Sequence, residues 1–161
     1  MIRRWIVNAS PLILLSKIGH IALLSELADE LIVPGMVVRE VERKRDGEQA
    51  LVEIASLPDA RVEVEVLVSP EIVAWNLGRG ESQVISLAVA TPGCRAVLDD
   101  LQARRCAQST GIPLIGTLGV VLRAKRKGVI AEARPVIEHL RRVGLYASDA
   151  LIEQALARLG E

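Results

Sequence analysis

The stretch Arg95-Ala-Val-Leu-Asp-Asp100 constrains this chain more than any other. A short apolar run, Ala96 to Leu98, ends at two adjacent carboxylates. Leu101-Gln-Ala-Arg-Arg-Cys-Ala107 follows without a breaker and reads as helix. Asp99 and Asp100 therefore stand where a buried strand ends and a helix begins. In open parallel α/β sheets that edge, just outside the carboxyl ends of the strands, is where ligands bind. Neighbouring carboxylates repel, so packing gives no reason to place two of them at the mouth of a core. A divalent cation would remove the conflict, because hard cations take oxygen ligands. The simpler reading is a helix cap that complements the positive end of the helix. It explains one Asp more easily than two.

The rest of the chain repeats the alternation of strand and helix. Trp5-Ile-Val7 reads as a buried strand ending at Asn8, and Ser10-Pro11 as a helix opening with Ser as cap and Pro at the first position. That helix runs from Leu12 to Ile18 and stops at Gly19, and Ile21 to Leu27 is a second short one. Leu31-Ile-Val33 is the next strand, followed by helices over Met36 to Lys44 and Ala50 to Leu57. Val62, Val64 and Val66 alternate with Arg61, Glu63 and Glu65, a period of two that marks an edge strand with one wet face. Ser69-Pro70 opens a short helix carrying Trp75. Gly78-Arg-Gly80 reads as a breaker before a strongly apolar helix from Glu81 to Ala90. After the Asp pair, Pro113-Leu-Ile115 is a strand, and helices follow over Leu118 to Lys127, Pro135 to Val143 and Ser148 to Leu159. Such alternation predicts an α/β fold: a central, mostly parallel sheet with helices on both faces, a three-layer sandwich. A length of 161 residues predicts one domain, 1–161, with no linker or internal repeat.

Composition narrows the function classes. Aromatics are limited to Trp5, Trp75 and Tyr146, so the core must be Leu, Ile, Val and Ala. Their scarcity argues against RNA modules that stack bases on an aromatic platform. A formal net charge of zero argues against a generally basic nucleic-acid surface. A metal-loaded acidic cleft, however, receives phosphates while the rest of the surface stays neutral. Two cysteines, Cys94 and Cys106, are too few for a disulfide framework or a zinc knuckle and read as core residues. No signal peptide is visible, and no apolar stretch reaches the ~18 residues of a membrane span. The expectation is a cytoplasmic protein without membrane contact. His20 and His139 have no ligand spacing, and no Ser-His-Asp order or phosphate-cradling loop is present.

Four places in all, the Asp pair among them, put a polar or acidic group where the pattern expects core or strand mouth. Asn8 ends the first strand, where it also suits a turn or cap. Glu40 lies between Met36 and Val37 in helical projection and leans over the apolar stripe; a solvated face is the plainer account. Glu81 opens a helix and shares a face with Val84, Ile85 and Ala88, although a first-turn acid also suits the helix dipole. Asp99 and Asp100 end a later strand. Strand mouths and adjoining helix ends converge on one edge of such a sheet. Arg79 and Arg104 flank the acids in sequence.

Asn8-Ala-Ser-Pro-Leu-Ile13, Gly78-Arg-Gly-Glu-Ser-Gln83, Val97-Leu-Asp-Asp100 with Ala103-Arg104, and Gly116-Thr-Leu-Gly119 with Arg123-Ala-Lys125 resemble a PIN-like family related to the VapC toxins. The resemblance spans nearly the whole chain in order. It implies Mg²⁺- or Mn²⁺-dependent endoribonuclease activity, an RNA substrate, and a small antitoxin partner; PIN relatives commonly form homodimers. It carries the family's acidic positions onto Asn8, Glu40, Glu81, and Asp99 or Asp100, with Ser10 or Thr117 as the hydroxyl beside the site. Asn8 departs from the family by standing where an aspartate is usual, keeping an oxygen but losing a charge. One or two ions among Asn8, Glu40, Glu81, Asp99 and Asp100 would serve in-line phosphodiester cleavage, with Arg79 and Arg104 on the RNA phosphates. The rival expectation is a catalytically impaired PIN-like module that binds nucleic acid or a partner. A phospho-receiver domain fits less well, because its acid pair should follow the first strand, where this chain has Asn8-Ala9.

Overall fold

The computed structural model describes residues 1–161. Its five strands are β1 (Arg4–Val7), β2 (Glu30–Pro34), β3 (Ala60–Val64), β4 (Cys94–Val97) and β5 (Leu114–Ile115), in the order β3-β2-β1-β4-β5. Every strand pair is parallel, as the alternation with helices requires. β1 and β2 are apolar runs because parallel strands are covered on both faces: Trp5, Ile6, Val7, Leu31, Ile32 and Val33 are all buried. β3 lies at the edge and keeps its alternating pattern, with Arg61 and Glu63 exposed.

The order places β1 beside β4, joined in register from Arg4↔Cys94 to Val7↔Val97. The chain leaves β1 toward β2 on one side, and β4 toward β5 on the other. Strand order therefore reverses between β1 and β4, and a crevice opens outside their carboxyl ends. The first residue after β1 is Asn8; after β4 come Leu98 and then Asp99.

Ten helices flank the sheet: α1 (Ala9–Lys17), α2 (Leu23–Leu27), α3 (Gly35–Glu42), α4 (Gly47–Ala55), α5 (Pro70–Val73), α6 (Arg79–Ala90), α7 (Leu101–Thr110), α8 (Thr117–Arg126), α9 (Arg134–Arg142) and α10 (Asp149–Ala157). Their inner faces and the sheet form one core of 41 buried apolar residues, from Trp5 to Leu156. No helix is long and apolar enough to cross a membrane.

Several helix starts differ from the sequence reading. α1 begins at Ala9, so Asn8 rather than Ser10 holds the N-cap position. α6 begins at Arg79, so Gly80 lies inside the helix and breaks nothing. A Cβ at Gly80 would fall 2.8 Å from Glu40 Oε2, so glycine is there to let a carboxylate approach the helix backbone. α5 ends at Val73, leaving Trp75 just beyond it and half-buried. The start of α9 is closed from an unusual direction. The Glu161 carboxylate accepts the backbone N–H of Ala133 at 2.7 Å and of Arg134 at 3.0 Å, with Lys125 Nζ at 3.6 Å. One side chain thereby ties the region after α10 to the beginning of α9 and the last turn of α8.

Candidate active site

Five of the acid and amide positions singled out in the sequence collect around the reversal of strand order. Asn8, Glu81, Asp99 and Asp100 line one open cleft of about 830 Å³, together with Ser10 and Arg104. Glu40, on α3, does not line the cleft but meets the first turn of α6, close enough for its charge to act on Glu81.

Asp99 is the most firmly held. Its Oδ1 accepts the Thr117 backbone N–H at 2.7 Å. Its Oδ2 accepts the Thr117 hydroxyl at 2.6 Å and the Ser10 hydroxyl at 3.1 Å. Thr117 is fully buried at the first position of α8, and Ser10 lies in the first turn of α1. The two candidate hydroxyls therefore act together, on the same carboxylate. The local pattern assigned Ser10 to helix capping, and only the family resemblance made it a candidate hydroxyl; its partner lies 89 residues away, a distance no local pattern reveals.

Asp100 is exposed and caps α7, accepting the Ala103 N–H at 2.9 Å. The capping reading of the Asp pair thus applies to Asp100 alone, while both carboxylates line the cleft.

Asn8 is 4% exposed. It stands at the N-cap of α1, yet its side chain accepts no N–H from that helix. Its Oδ1 is buried with no hydrogen-bond partner at all. Native proteins pair nearly all such atoms, so an orphaned oxygen here asks for a ligand.

Glu81 sits at the third position of α6, where its Oε2 reaches back to accept the N–H of the N-cap residue Gly78 at 3.1 Å. Burial pushes its carboxyl pKa up, and the negative charges of Asp100 and Glu40 push the same way; only the Gly78 N–H opposes them. Glu40 Oε1 accepts the Gly80 N–H at 2.9 Å. The half-buried side chain therefore does turn over the apolar stripe of α3, as its helical angle predicted.

Arg104 lies beside Asp99. One guanidinium nitrogen donates to the Leu98 carbonyl at 2.9 Å, and a Cβ at Gly116 would come within 3.0 Å of that nitrogen and 3.1 Å of Asp99 Oδ1. Arg79 is placed elsewhere. It is exposed and lines a separate depression of about 280 Å³ with Met36, Val73, Leu77 and Gln83. Sequence reading missed Gln83, which accepts the Met36 N–H at 2.8 Å and donates to the Val66 carbonyl at 3.0 Å. It thereby fixes the start of α3, and with it the helix that carries Glu40. A glutamine two residues after Glu81 was the available signal.

The oxygens present suit a hard divalent cation in kind: a buried, unpartnered amide oxygen, and the Glu81 carboxylate, whose proton affinity is raised by burial and by the charges of Asp100 and Glu40. No three Asp, Glu, His or Cys side chains gather closely enough to enclose an ion by themselves.

A parallel α/β sheet with acids outside the strand ends at its switch point is the architecture of PIN-type domains, a nuclease-type class of module. The chain belongs to that family: the model DUF3368, described as a PIN domain, matches residues 4–161. No curated protein matches the chain.

Proposed function

We propose that the chain is a Mg²⁺- or Mn²⁺-dependent endoribonuclease, the VapC-like toxin of a toxin–antitoxin pair. The observation that carries the reading is the orphaned Asn8 Oδ1, buried in the same cleft as Glu81, Asp99 and Asp100. Those residues would hold the cation, with Glu40 adding its charge from outside the cleft. When bound, a divalent ion lowers the pKa of an attacking water and neutralises charge on the leaving oxygen of a phosphodiester. Ser10 and Thr117 fix the orientation of the Asp99 carboxylate, so it needs no reorganisation when substrate arrives. Arg104, anchored through the Leu98 carbonyl, offers its remaining N–H groups to a phosphate. RNA is the substrate in this reading, a small antitoxin the regulatory partner, and a homodimer the working assembly.

A catalytically impaired binding module is the second reading. It is favoured by the neutral amide at Asn8 and by the wide spacing of the acids. Asp100→Asn separates the two. Asn caps helices about as well as Asp, so melting in EDTA should not fall. Mn²⁺-dependent cleavage of RNA should drop by more than the roughly 10- to 100-fold that loss of an outer-shell partner costs. Cleavage at the wild-type rate would overturn the assignment. RNA binding without any cleavage by the wild-type chain would leave the binding module standing.

A further inference from the structure

The cleft that holds the acids has a second wall with different chemistry. Tyr146 stands on it, 98% exposed, in the segment between α9 and α10. Leu101 and Leu151, 62% and 50% exposed, line the same cleft. The other aromatics do different work: Trp5 is buried in the core, and Trp75 is half-buried beyond α5. The one aromatic ring fully open to solvent is thus one that lines the cleft of the carboxylates and Arg104.

An open phenol ring on an apolar wall, next to a guanidinium and a cluster of oxygen donors, matches the two-sided chemistry of a nucleotide. A nucleotide is flat and apolar on its base faces and anionic at its phosphate. A base can stack on Tyr146 while its neighbouring phosphate meets Arg104 and the acidic end. In a duplex both faces of each base are already covered by its neighbours. Only an unpaired, unstacked base can offer a face to the ring. The scarcity of aromatics rules out a stacking platform, but a single stacked base needs only one ring.

We infer that Tyr146 is a substrate-positioning residue that stacks on an unpaired base beside the cleaved phosphate. The inference rests on the nucleic-acid reading of the same cleft. An exposed ring leaves no cavity when removed, so Tyr146→Ala should fold as the wild type does.

The test uses the full chain with Ca²⁺ in place of Mn²⁺, so that binding is read apart from cleavage. The probes are a short single-stranded RNA carrying 2-aminopurine, whose emission is quenched on stacking, and a fluorescein-labelled duplex of the same sequence. Wild type and Tyr146→Phe should quench the 2-aminopurine. Tyr146→Ala should lose the quench and bind the single strand about 5- to 150-fold more weakly, the range expected for one base–aromatic stack. Duplex affinity should not change between the variants. Equal quenching by Tyr146→Ala overturns the inference while leaving the nuclease reading intact, and so does an equal loss of affinity for single strand and duplex. Unchanged RNA binding with a shift in sedimentation would assign the ring to a protein contact and overturn it too. If no RNA binds the wild-type chain, the inference and the reading beneath it fall together.

Discussion

At the scale of single residues, the site turns on what each oxygen already holds. Asp99 has three donors, Asp100 has one, and the buried oxygen of Asn8 has none. Asn8→Asp therefore has opposite effects with and without metal. Without metal it places an unpaired charge at a 4% exposed position, near other carboxylates. The expected loss is on the order of 1–3 kcal/mol, at about 2–4 °C in melting temperature per kcal/mol. In excess Mn²⁺ the added charge should bind the ion more tightly and raise the melting temperature. Thermal melts in EDTA and in Mn²⁺ check this; equal shifts in both would remove Asn8 from the metal cluster. The acids and the amide that gather at the cleft stood out in the sequence, because Asn8, Glu40, Glu81 and Asp99 each interrupt an apolar pattern, whereas Arg79, expected with them, lies elsewhere. Their hydrogen bonds were not. Ser10 followed by Pro11 carries a strong local capping signal, yet its hydroxyl serves Asp99, a partner that only the pairing of β1 with β4 brings near. Tyr146 was overlooked for a different reason: a lone ring in a loop has no periodicity to break.

At the scale of elements, the fold was read well where strands are apolar runs and poorly where a helix begins. Gly80 shows why. Glycine is the usual mark of a chain break, but here it makes room for the Glu40 carboxylate inside the first turn of α6. Sequence cannot tell a glycine kept for its dihedral freedom from one kept for its missing Cβ. The opposite end of the sheet offers a pH-dependent contact. Asp29, just before β2, accepts the Arg3 backbone N–H at 2.7 Å and the guanidinium at 2.9 and 3.2 Å. These bonds hold its carboxyl pKa at about 2, down from the usual 3.8. A depressed acid stabilises the fold fully above its unfolded pKa and loses that contribution as pH falls through the folded one. The melting difference between wild type and Asp29→Asn should therefore be constant well above pH 3.8, shrink as pH falls below it, and be gone only below about pH 2. Because the pair is exposed, the difference should be small and should shrink in high salt. A difference that persists undiminished at the acid end would show that the contact works through shape rather than charge.

At the scale of the whole molecule, one core of 41 residues joins the sheet to its flanking helices. Ile6, fully buried at the centre of β1, touches the strand ladder on both sides through β2 and β4. Ile6→Ala should cost about 2–5 kcal/mol. The loss should appear as a single transition, with far-ultraviolet circular dichroism and the emission of buried Trp5 moving together. Two separated transitions would divide the chain into independent units, against the single domain its length predicts. The fold class follows from the strand–helix alternation, since parallel strands need crossovers and crossovers need helices. Which strands are neighbours does not follow from it, and that is what sets Asn8 against Asp99. The clasp made by Glu161 carries a practical consequence. It joins Glu161 to the start of α9, and the segment leading out of α9 carries Tyr146. Glu161→Ala would thus leave two backbone amides without their carboxylate and loosen a helix whose other end leads into a wall of the cleft. A change at residue 161 would be felt at the cleft without altering any side chain that lines it.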